Sequence, residues 1–263
     1  MSGGSRGIGL AIALRAARDG ARVAIIAKTE QPHPKLEGTI YSAAEEIRSA
    51  GGEALPIAGD VRDEQRVEAA IQQVVAEFGG IDICINNASA IDLSSVETIA
   101  MKRYDLMQDI NTRGTFVLTK SCLPHLKRAA NPHVLTLSPP LNLNPTWFGS
   151  SLAYAIAKYG MSLCTLGFAD EFKEYGIAAN SLWPRTTIAT AAVRNLLGGE
   201  DAMRRSRNPG IVADAAHAIL ARPSKECTGR FFIDDEVLAE EGITDLSIYG
   251  GVESELQTDL FLN

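Results

Sequence analysis

The chain has 263 residues, of which 46% are hydrophobic, and this is enough to form the core of one large α/β domain over residues 1–263. Its formal net charge of −7, without a basic stripe, excludes nucleic acid and anionic membrane surfaces as partners. No apolar run is long enough to span a bilayer. Neither the four histidines nor the four cysteines show metal-ligand spacing, so we expect no metal site, free thiols and a reducing, cytoplasmic location.

Short apolar runs alternate with longer amphipathic stretches along the whole chain. The apolar runs predict strands at residues 22–27, 53–58, 81–86, 133–137, 178–183 and 230–233. The amphipathic stretches predict helices at residues 8–19, 42–50, 64–78, 101–129, 151–175 and 211–221, with a loop at 31–38. This alternation predicts a doubly wound parallel sheet in which ligands bind beyond the carboxyl ends of the strands.

A glycine-rich turn at residues 3–9 leads directly into the first predicted helix. In a doubly wound fold such a turn follows a central strand, yet only Met1 and Ser2 precede it here. We therefore expect the first strand to be truncated, at a cost of about 1.5–3 kcal/mol for each buried side chain that is lost. Two explanations are open. The biological start lies upstream of Met1, or the sheet lacks its centre and the protein is weakened or inactive.

The turn itself suits a dinucleotide. Its glycines let the backbone approach a pyrophosphate, and the N-terminus of the following helix stabilises that negative charge. The residues of the turn are Gly3, Gly4, Ser5, Arg6, Gly7, Ile8 and Gly9. At the end of the next strand, where an acidic residue would select NAD, the chain has Lys28. Arg6 and Lys28 together favour NADP, although the nearby Glu30 keeps NAD open, and a plain glycine-rich loop is the alternative.

Single polar residues stand at three further strand ends and inside one predicted helix. Asp60, followed by Val61, is a candidate acceptor for the adenine amino group, and Asn86 is a candidate for holding backbone edges beside the cofactor. Asparagine is a poor helix former, so Asn111 within a helical stretch predicts a specific role, such as holding a water. Ser138 closes a strand, and its hydroxyl would either hold a substrate carbonyl or only cap the chain.

Tyr154 and Lys158 are the strongest candidates for chemistry. Residues four apart lie on the same face of a helix, so both side chains are expected to point into one cleft. A lysine ammonium beside a phenol favours the phenolate and lowers the pKa of the tyrosine. Tyr154 is therefore a candidate proton donor or acceptor near neutral pH.

In this order the motifs resemble those of the short-chain dehydrogenase/reductase family, and they cover nearly the whole chain. The resemblance implies a Rossmann-type fold and an oxidoreductase that interconverts an alcohol and a ketone or aldehyde. It implies that Tyr154 exchanges a proton with the substrate oxygen and that Lys158 holds the nicotinamide ribose. It also implies that Asn111 seats a relay water and that Ser138 orients the carbonyl. The implied NADP contacts are the seven residues of the turn, Lys28, Asp60, Val61, Asn86, Tyr154 and Lys158.

Three positions depart from the family pattern. Ser89 stands where the family has a glycine, so backbone freedom is reduced there. Ser138 lies further from Tyr154 than the family's serine does, which puts its catalytic role in doubt and predicts a bulge over the site. Arg185 also replaces a usual glycine. It is a candidate for binding an acidic group of the cofactor or substrate, with an ion pair inside the protein as the alternative.

The segment 187–197 is apolar and is expected to form a mobile lid, which favours a small, lipophilic substrate. Its apolar residues are Ile188, Ala189, Ala191, Ala192, Val193, Leu196 and Leu197. The resemblance further implies a homo-oligomer that pairs through the long helices at 101–129 and 151–175. The competing hypothesis is a catalytically weak or inactive nucleotide-binding or scaffold protein of the same fold.

Overall fold

The computed structural model describes residues 1–33 and 36–262, together with all their side chains except that of Leu197. Pro34 and Lys35 of the predicted loop, and Asn263, lie outside the described residues, as does the Leu197 side chain of the predicted lid. The predicted doubly wound α/β fold is confirmed. Parallel strands alternate with helices in the expected order. By its contacts the chain divides into two compact units, which are described in turn.

The strands fall within a residue or two of their predicted positions. They are β1 (Arg22–Ala27), β2 (Glu53–Ala58), β3 (Ile83–Asn86), β4 (His133–Thr136), β5 (Ala178–Trp183) and β6 (Phe231–Ile233). The helices that correspond to predicted ones are α1 (Gly7–Ala17), α2 (Ile40–Ser49), α3 (Glu64–Phe78), α4 (Met101–Met107), α5 (Gly114–Leu126), α7 (Leu152–Glu171) and α10 (Gly210–Ala221). Among the helices of these residues, none is both long and apolar enough to cross a membrane.

Several short helical elements are not predicted as separate elements by the sequence. They are the helices α6 (Pro145–Ser150), α8 (Ala191–Val193), α9 (Gly199–Arg204) and α11 (Asp234–Glu240), and the π-helices Gln108–Arg113 and Arg194–Gly198. The first π-helix divides the predicted 101–129 helix into α4 and α5. Three single turns of 3₁₀ helix occupy Lys173–Tyr175, Ser247–Tyr249 and Glu253–Glu255. Elements this short carry too few residues for a periodic pattern, so sequence periodicity does not reveal them.

The first unit comprises Met1–Ala58, Trp183–Arg222 and Phe232–Asp259. Its strands β1 and β2 pair in parallel from Arg22 opposite Glu53 to Ala27 opposite Ala58. Its buried apolar cluster joins α1, β1 and α2 through Ala13, Ala17, Ile25, Ile40, Ala43 and Ile47. Each buried isoleucine stabilises the unit by about 1.5–3 kcal/mol.

The residues before the glycine-rich turn pair with β1 only briefly. Ser2 forms one parallel bridge with Ile26, whose amide donates to the Met1 carbonyl oxygen at 3.0 Å. The Gly3 amide donates to the Ile26 carbonyl oxygen at 2.9 Å. This stretch runs in the direction expected of the strand before the turn, but it is too short to form one.

The second unit comprises Gly59–Leu182, Pro223–Phe231 and Leu260–Asn263. Its strands β3, β4 and β5 are neighbours in that order and pair in parallel. Helix α5 packs on β3 and on α7, and α7 packs on β4. The buried side chains of Leu118, Leu135 and Met161 lie on α5, β4 and α7, so the face of α7 that holds the candidate catalytic residues is fixed by packing.

Candidate active site

The glycine-rich turn lies in the first unit and opens directly into α1. Gly3 and Gly7 have φ of 70° and 56°, in the left-handed region that glycine adopts without strain. A Cβ at Gly4 would lie 2.8 Å from Cγ2 of Ile25, so the close approach of the turn to β1 also requires glycine. Within the described residues no side chain caps the N-terminus of α1. The turn is thus a cradle with uncapped helical amides, which fits a dinucleotide pyrophosphate.

The two cations predicted to select the cofactor also lie in this unit. Arg6 is half-buried, and its Nε and Nη2 atoms donate to the carbonyl oxygens of Glu37 and Gly38, both at 2.8 Å. Lys28 is exposed and follows the last residue of β1. The carboxylate of Glu30 accepts a hydrogen bond from the Tyr41 hydroxyl at 3.1 Å. Arg6 therefore also ties the turn to the following loop, whereas Lys28 stands at the strand end where cofactor selection is expected.

Asp60 and Val61 follow β2, and both have contacts within the second unit. The Asp60 carboxylate binds Arg62, with Nε at 2.9 Å and Nη2 at 2.6 Å. Val61 is buried, and its Cγ2 atom would be 2.9 Å from a Cβ at Gly114, the first residue of α5. An adenine amino group would share the Asp60 carboxylate with Arg62.

Asn86 is the last residue of β3 and is buried. Its Nδ2 atom donates to Oγ1 of Thr119 at 2.9 Å. Its Oδ1 atom is buried and has no hydrogen-bond partner among the described residues. A buried acceptor without a donor costs about 1–3 kcal/mol. This oxygen is therefore a polar atom that a bound group would satisfy, which fits the predicted place of Asn86 beside a cofactor.

Tyr154 and Lys158 lie one turn apart on α7, and both side chains are buried. The ammonium Nζ of Lys158 donates to the carbonyl oxygen of Leu137 at 2.9 Å, and it lies 3.7 Å from Sδ of Met161. Leu137 immediately follows β4, so a backbone carbonyl at the carboxyl end of the sheet anchors the lysine. Burying an ammonium is costly unless it is hydrogen-bonded, and this contact provides one such bond. The arrangement keeps a cation within one helical turn of a buried phenol.

Ser138 follows Leu137, but its hydroxyl is directed into the protein. The Oγ atoms of Ser138 and Ser181 lie 2.8 Å apart, and Ser181 in turn contacts Oγ1 of Thr165 at 2.8 Å. The Ser138 side chain is fully buried. To donate to a substrate carbonyl, this hydroxyl would have to be the acceptor in its hydrogen bond with Ser181.

Asn111 lies at the centre of the first π-helix and is fully buried. Its Oδ1 atom accepts from the Ala90 amide at 2.7 Å, and its Nδ2 atom donates to the Ala90 carbonyl oxygen at 3.0 Å. Both polar atoms of the side chain thus clamp the segment that follows β3. This pair of bonds gives a physical reason for an asparagine within the helix, and the relay water stays a prediction.

The departures from the family pattern have local explanations. Phe261 is the one non-glycine residue with positive φ among residues 1–33 and 36–262, so Ser89 occupies a backbone conformation open to any residue. Arg185 forms ion pairs with Asp235, at 2.9 Å, and with Glu236. In the first unit Arg185 therefore forms an ion pair inside the protein, which is the alternative that the sequence left open for it.

Residues that the sequence did not single out surround Tyr154. Its ring centroid lies 6.0 Å from that of Phe261, which also contacts Trp147 at 6.0 Å and Tyr159 at 5.2 Å. Trp147 belongs to α6, within the bulge expected between Ser138 and Tyr154. The Asn144-Pro145 pair, a cap followed by a first-turn proline, was a local signal for α6. Nothing local marked Phe261, because its partners are more than a hundred residues away in the chain.

Comparison with known proteins shows the family of the chain. The chain is 57% identical over 249 residues to hydroxysteroid dehydrogenase-like protein 2 of Xenopus tropicalis. The aligned region covers 95% of this chain and 59% of that protein. It therefore spans about three fifths of the length of that relative. A solved structure from Xanthomonas campestris matches with a TM-score of 0.96 and 56% identity, covering 100% of this chain and 96% of the other.

A short chain dehydrogenase from Mycobacterium thermoresistibile matches with a TM-score of 0.94 and 58% identity, covering 100% of this chain and 93% of that one. The family model described as short chain dehydrogenase matches residues 1–200. The chain therefore belongs to the short-chain dehydrogenases, a family of oxidoreductases that bind NAD or NADP.

Proposed function

We propose that the chain is an NADP-dependent oxidoreductase that interconverts an alcohol and a ketone or aldehyde on a lipophilic small molecule. The observation that carries this proposal is the pair of Tyr154 and Lys158, buried on one face of α7, with the lysine anchored on the Leu137 carbonyl. A buried phenol beside a held cation is poised for proton transfer. The cofactor would supply the hydride.

In the reducing direction Tyr154 donates its hydroxyl proton to the carbonyl oxygen of the substrate, and in the oxidising direction its phenolate accepts the proton of the alcohol. Lys158 would favour the phenolate and would hold the nicotinamide ribose. Asn111 fixes the segment after β3 through Ala90 and seats the relay water. Because the Ser138 hydroxyl bonds to Ser181, we assign this serine to supporting the end of β4, and its contact with a substrate carbonyl stays a prediction.

NADP is favoured over NAD by the charges around the end of β1. Lys28 is exposed there and would pair with a 2′-phosphate, while Glu30 is engaged by Tyr41. The uncapped N-terminus of α1 and the left-handed glycines of the turn would hold the pyrophosphate. Asp60, Val61 and Asn86 complete the proposed cofactor contacts.

The test is the Tyr154→Phe variant. Loss of the hydroxyl should remove turnover, by about 100-fold or more for a general acid, and should leave NADPH binding nearly unchanged. Tyr175→Phe is the matched control, because Tyr175 is an exposed tyrosine of the same unit whose ring lies over Lys127. Turnover in the Tyr154→Phe protein equal to that of the control would refute the mechanism.

The second candidate is a nucleotide-binding or scaffold protein without turnover. The buried Ser138 hydroxyl favours it, since the serine that the family uses for the substrate carbonyl is engaged elsewhere. Fluorescence titration with NADPH, followed by turnover assays on a panel of ketones, separates the two. Tight NADPH binding without turnover of any ketone would support the scaffold.

Homo-oligomer formation and the nature of the substrate complete the proposal. Helices α5 and α7 expose large apolar side chains, namely Phe116, Ile156, Leu163 and Leu166, as expected of a face that pairs with a second copy. Ile188 and Val193 of the predicted lid are buried, so the segment presents apolar side chains inward. This supports a lipophilic substrate. All four cysteines are free thiols, which supports a cytoplasmic location.

A further inference from the structure

Five aromatic side chains of the second unit form one cluster around the candidate catalytic tyrosine. Phe261 is its centre, with ring centroids 5.2 Å from Tyr159 and 6.0 Å from both Tyr154 and Trp147. Phe148 extends the cluster, at 5.2 Å from Tyr159. These distances are those of attractive aromatic pairs. The ring of Phe261 therefore occupies the space beside the ring of Tyr154.

The backbone at Phe261 is held in an unfavourable conformation. Its φ is 71°, in the left-handed region that bulky residues avoid, and its side chain is almost completely buried. Such a conformation persists only where the surrounding structure enforces it, and it is found preferentially at functional sites. The strained backbone thus points to a functional role for Phe261.

The loop between Ser138 and α6 supplies the restraint. Nδ2 of Asn142 donates to the Phe261 carbonyl oxygen at 3.1 Å, and the Asn142 carbonyl oxygen accepts from the Tyr159 hydroxyl at 2.6 Å. The extra residues between Ser138 and Tyr154, which the sequence marked as a departure from the family, therefore hold Phe261 against Tyr154.

An unsatisfied donor lies in the same cluster. Nε1 of Trp147 is buried and has no hydrogen-bond partner among the described residues. A buried indole N–H usually finds a partner, because leaving it unpaired is costly. The aromatic cluster around Phe261 therefore contains one N–H donor that is available for an acceptor oxygen of a bound molecule.

We infer that Phe261 is a specificity-determining residue, whose ring limits the bulk of the group that a carbonyl substrate carries beside the reacting carbon. The inference rests on the proposed function, in which Tyr154 protonates the substrate oxygen. Compact ketones fit beside Tyr154 with Phe261 in place, whereas a fused bicyclic ketone needs the space that the Phe261 ring fills. Trp147 donates to an acceptor oxygen in the more distant part of such a substrate.

The test compares NADPH-dependent reduction of cyclohexanone and of trans-1-decalone. Phe261→Ala should raise the kcat/KM for trans-1-decalone relative to that for cyclohexanone by about tenfold or more, since a few carbon atoms in an apolar pocket discriminate to this extent. Phe261→Gly should behave in the same way and fold more readily, because glycine accepts a φ of 71° without strain.

Phe172→Ala is the matched control. Phe172 is also buried in this unit, and it stacks on Phe168 at 5.2 Å outside the cluster. Its loss should cost comparable stability and leave the ratio of the two ketones at the wild-type value. A wild-type ratio in both Phe261 variants, or an equal rise in Phe172→Ala, would overturn the inference.

If no ketone is turned over, that result refutes the proposed function alone. A binding measurement then still tests the role of Phe261. The Trp183→Phe protein keeps Trp147 as its only tryptophan, and it is titrated with trans-1-decalone without nucleotide. We expect the emission of Trp147 to change, with half-saturation at a lower ketone concentration when Phe261→Ala is added. No change in emission, or the same half-saturation in both proteins, would overturn the role of Phe261.

Discussion

Asp234 is the buried carboxylate whose removal should change how stability depends on pH. It begins α11 and is fully buried, and its Oδ1 atom accepts from the amides of Arg185 and Asp235, both at 2.8 Å. Its Oδ2 atom has no partner among the described residues. Burial raises the pKa of Asp234 from 3.8 to about 7, against the opposing effect of the two backbone hydrogen bonds.

The sign of the effect follows from this pKa. The folded state keeps a proton on Asp234 up to about pH 7, whereas the unfolded chain releases it near pH 3.8. Stability is therefore lost as the pH rises between these two values, by about 1.4 kcal/mol per pH unit. Above pH 7 the loss is complete and amounts to about 4 kcal/mol.

Asp234→Asn removes the titration and keeps an acceptor at the Oδ1 position. Its amide NH₂ then lies where Oδ2 has no partner, which costs about 1–3 kcal/mol at every pH. The unpaired amide therefore offsets the stability that the variant gains by losing the buried carboxylate. It does not change how that gain depends on pH. We expect the free energy of unfolding of the variant, relative to wild type, to rise by about 2 kcal/mol between pH 5.5 and pH 8.

Urea unfolding followed by circular dichroism at pH 5.5, 7 and 8 measures this difference. Asp105→Asn, a change of the same chemistry at an exposed aspartate, is the control and should show no such rise. The same difference between Asp234→Asn and wild type at all three pH values would refute the reasoning, because it would mean that Asp234 does not titrate in this range.

Three further outcomes are expected. Gly160→Ala should destabilise by about 1–3 kcal/mol in urea unfolding, because its Cβ would lie 2.2 Å from Oγ1 of Thr112; Gly149→Ala, where nothing lies within 4 Å, should not. Lys28→Ala should weaken NADPH binding by about five- to tenfold in fluorescence titrations and leave NADH binding unchanged, whereas an equal loss for both nucleotides would contradict the assignment. Leu163→Glu should shift the mass from light scattering to that of a monomer, unlike Leu143→Glu, which is exposed outside α5 and α7.

Local sequence pattern was sufficient to predict the strands, the longer helices and the placement of Tyr154 and Lys158 on one helix face. The predicted strands and longer helices correspond to observed ones because the period of two or 3.6 residues is a property of the backbone. The same periodicity puts Tyr154 and Lys158 on one face of α7, whatever packs around them. The turn at residues 3–9 was equally predictable from the sequence, because its glycines are required by the backbone geometry of a few neighbouring residues.

Only the tertiary structure decided which residues far apart in the sequence contact each other. Asn111 bonds to Ala90, 21 residues away, and the π-helix around it divides a stretch that the sequence predicts as one helix. Ser138 contacts Ser181 across 43 residues, a hydrogen bond that the strand-end position of Ser138 does not predict. Asn142 reaches Phe261 across 119 residues. The composition of a sequence window constrains none of these contacts, because each depends on which buried polar and aromatic groups the packed elements bring together.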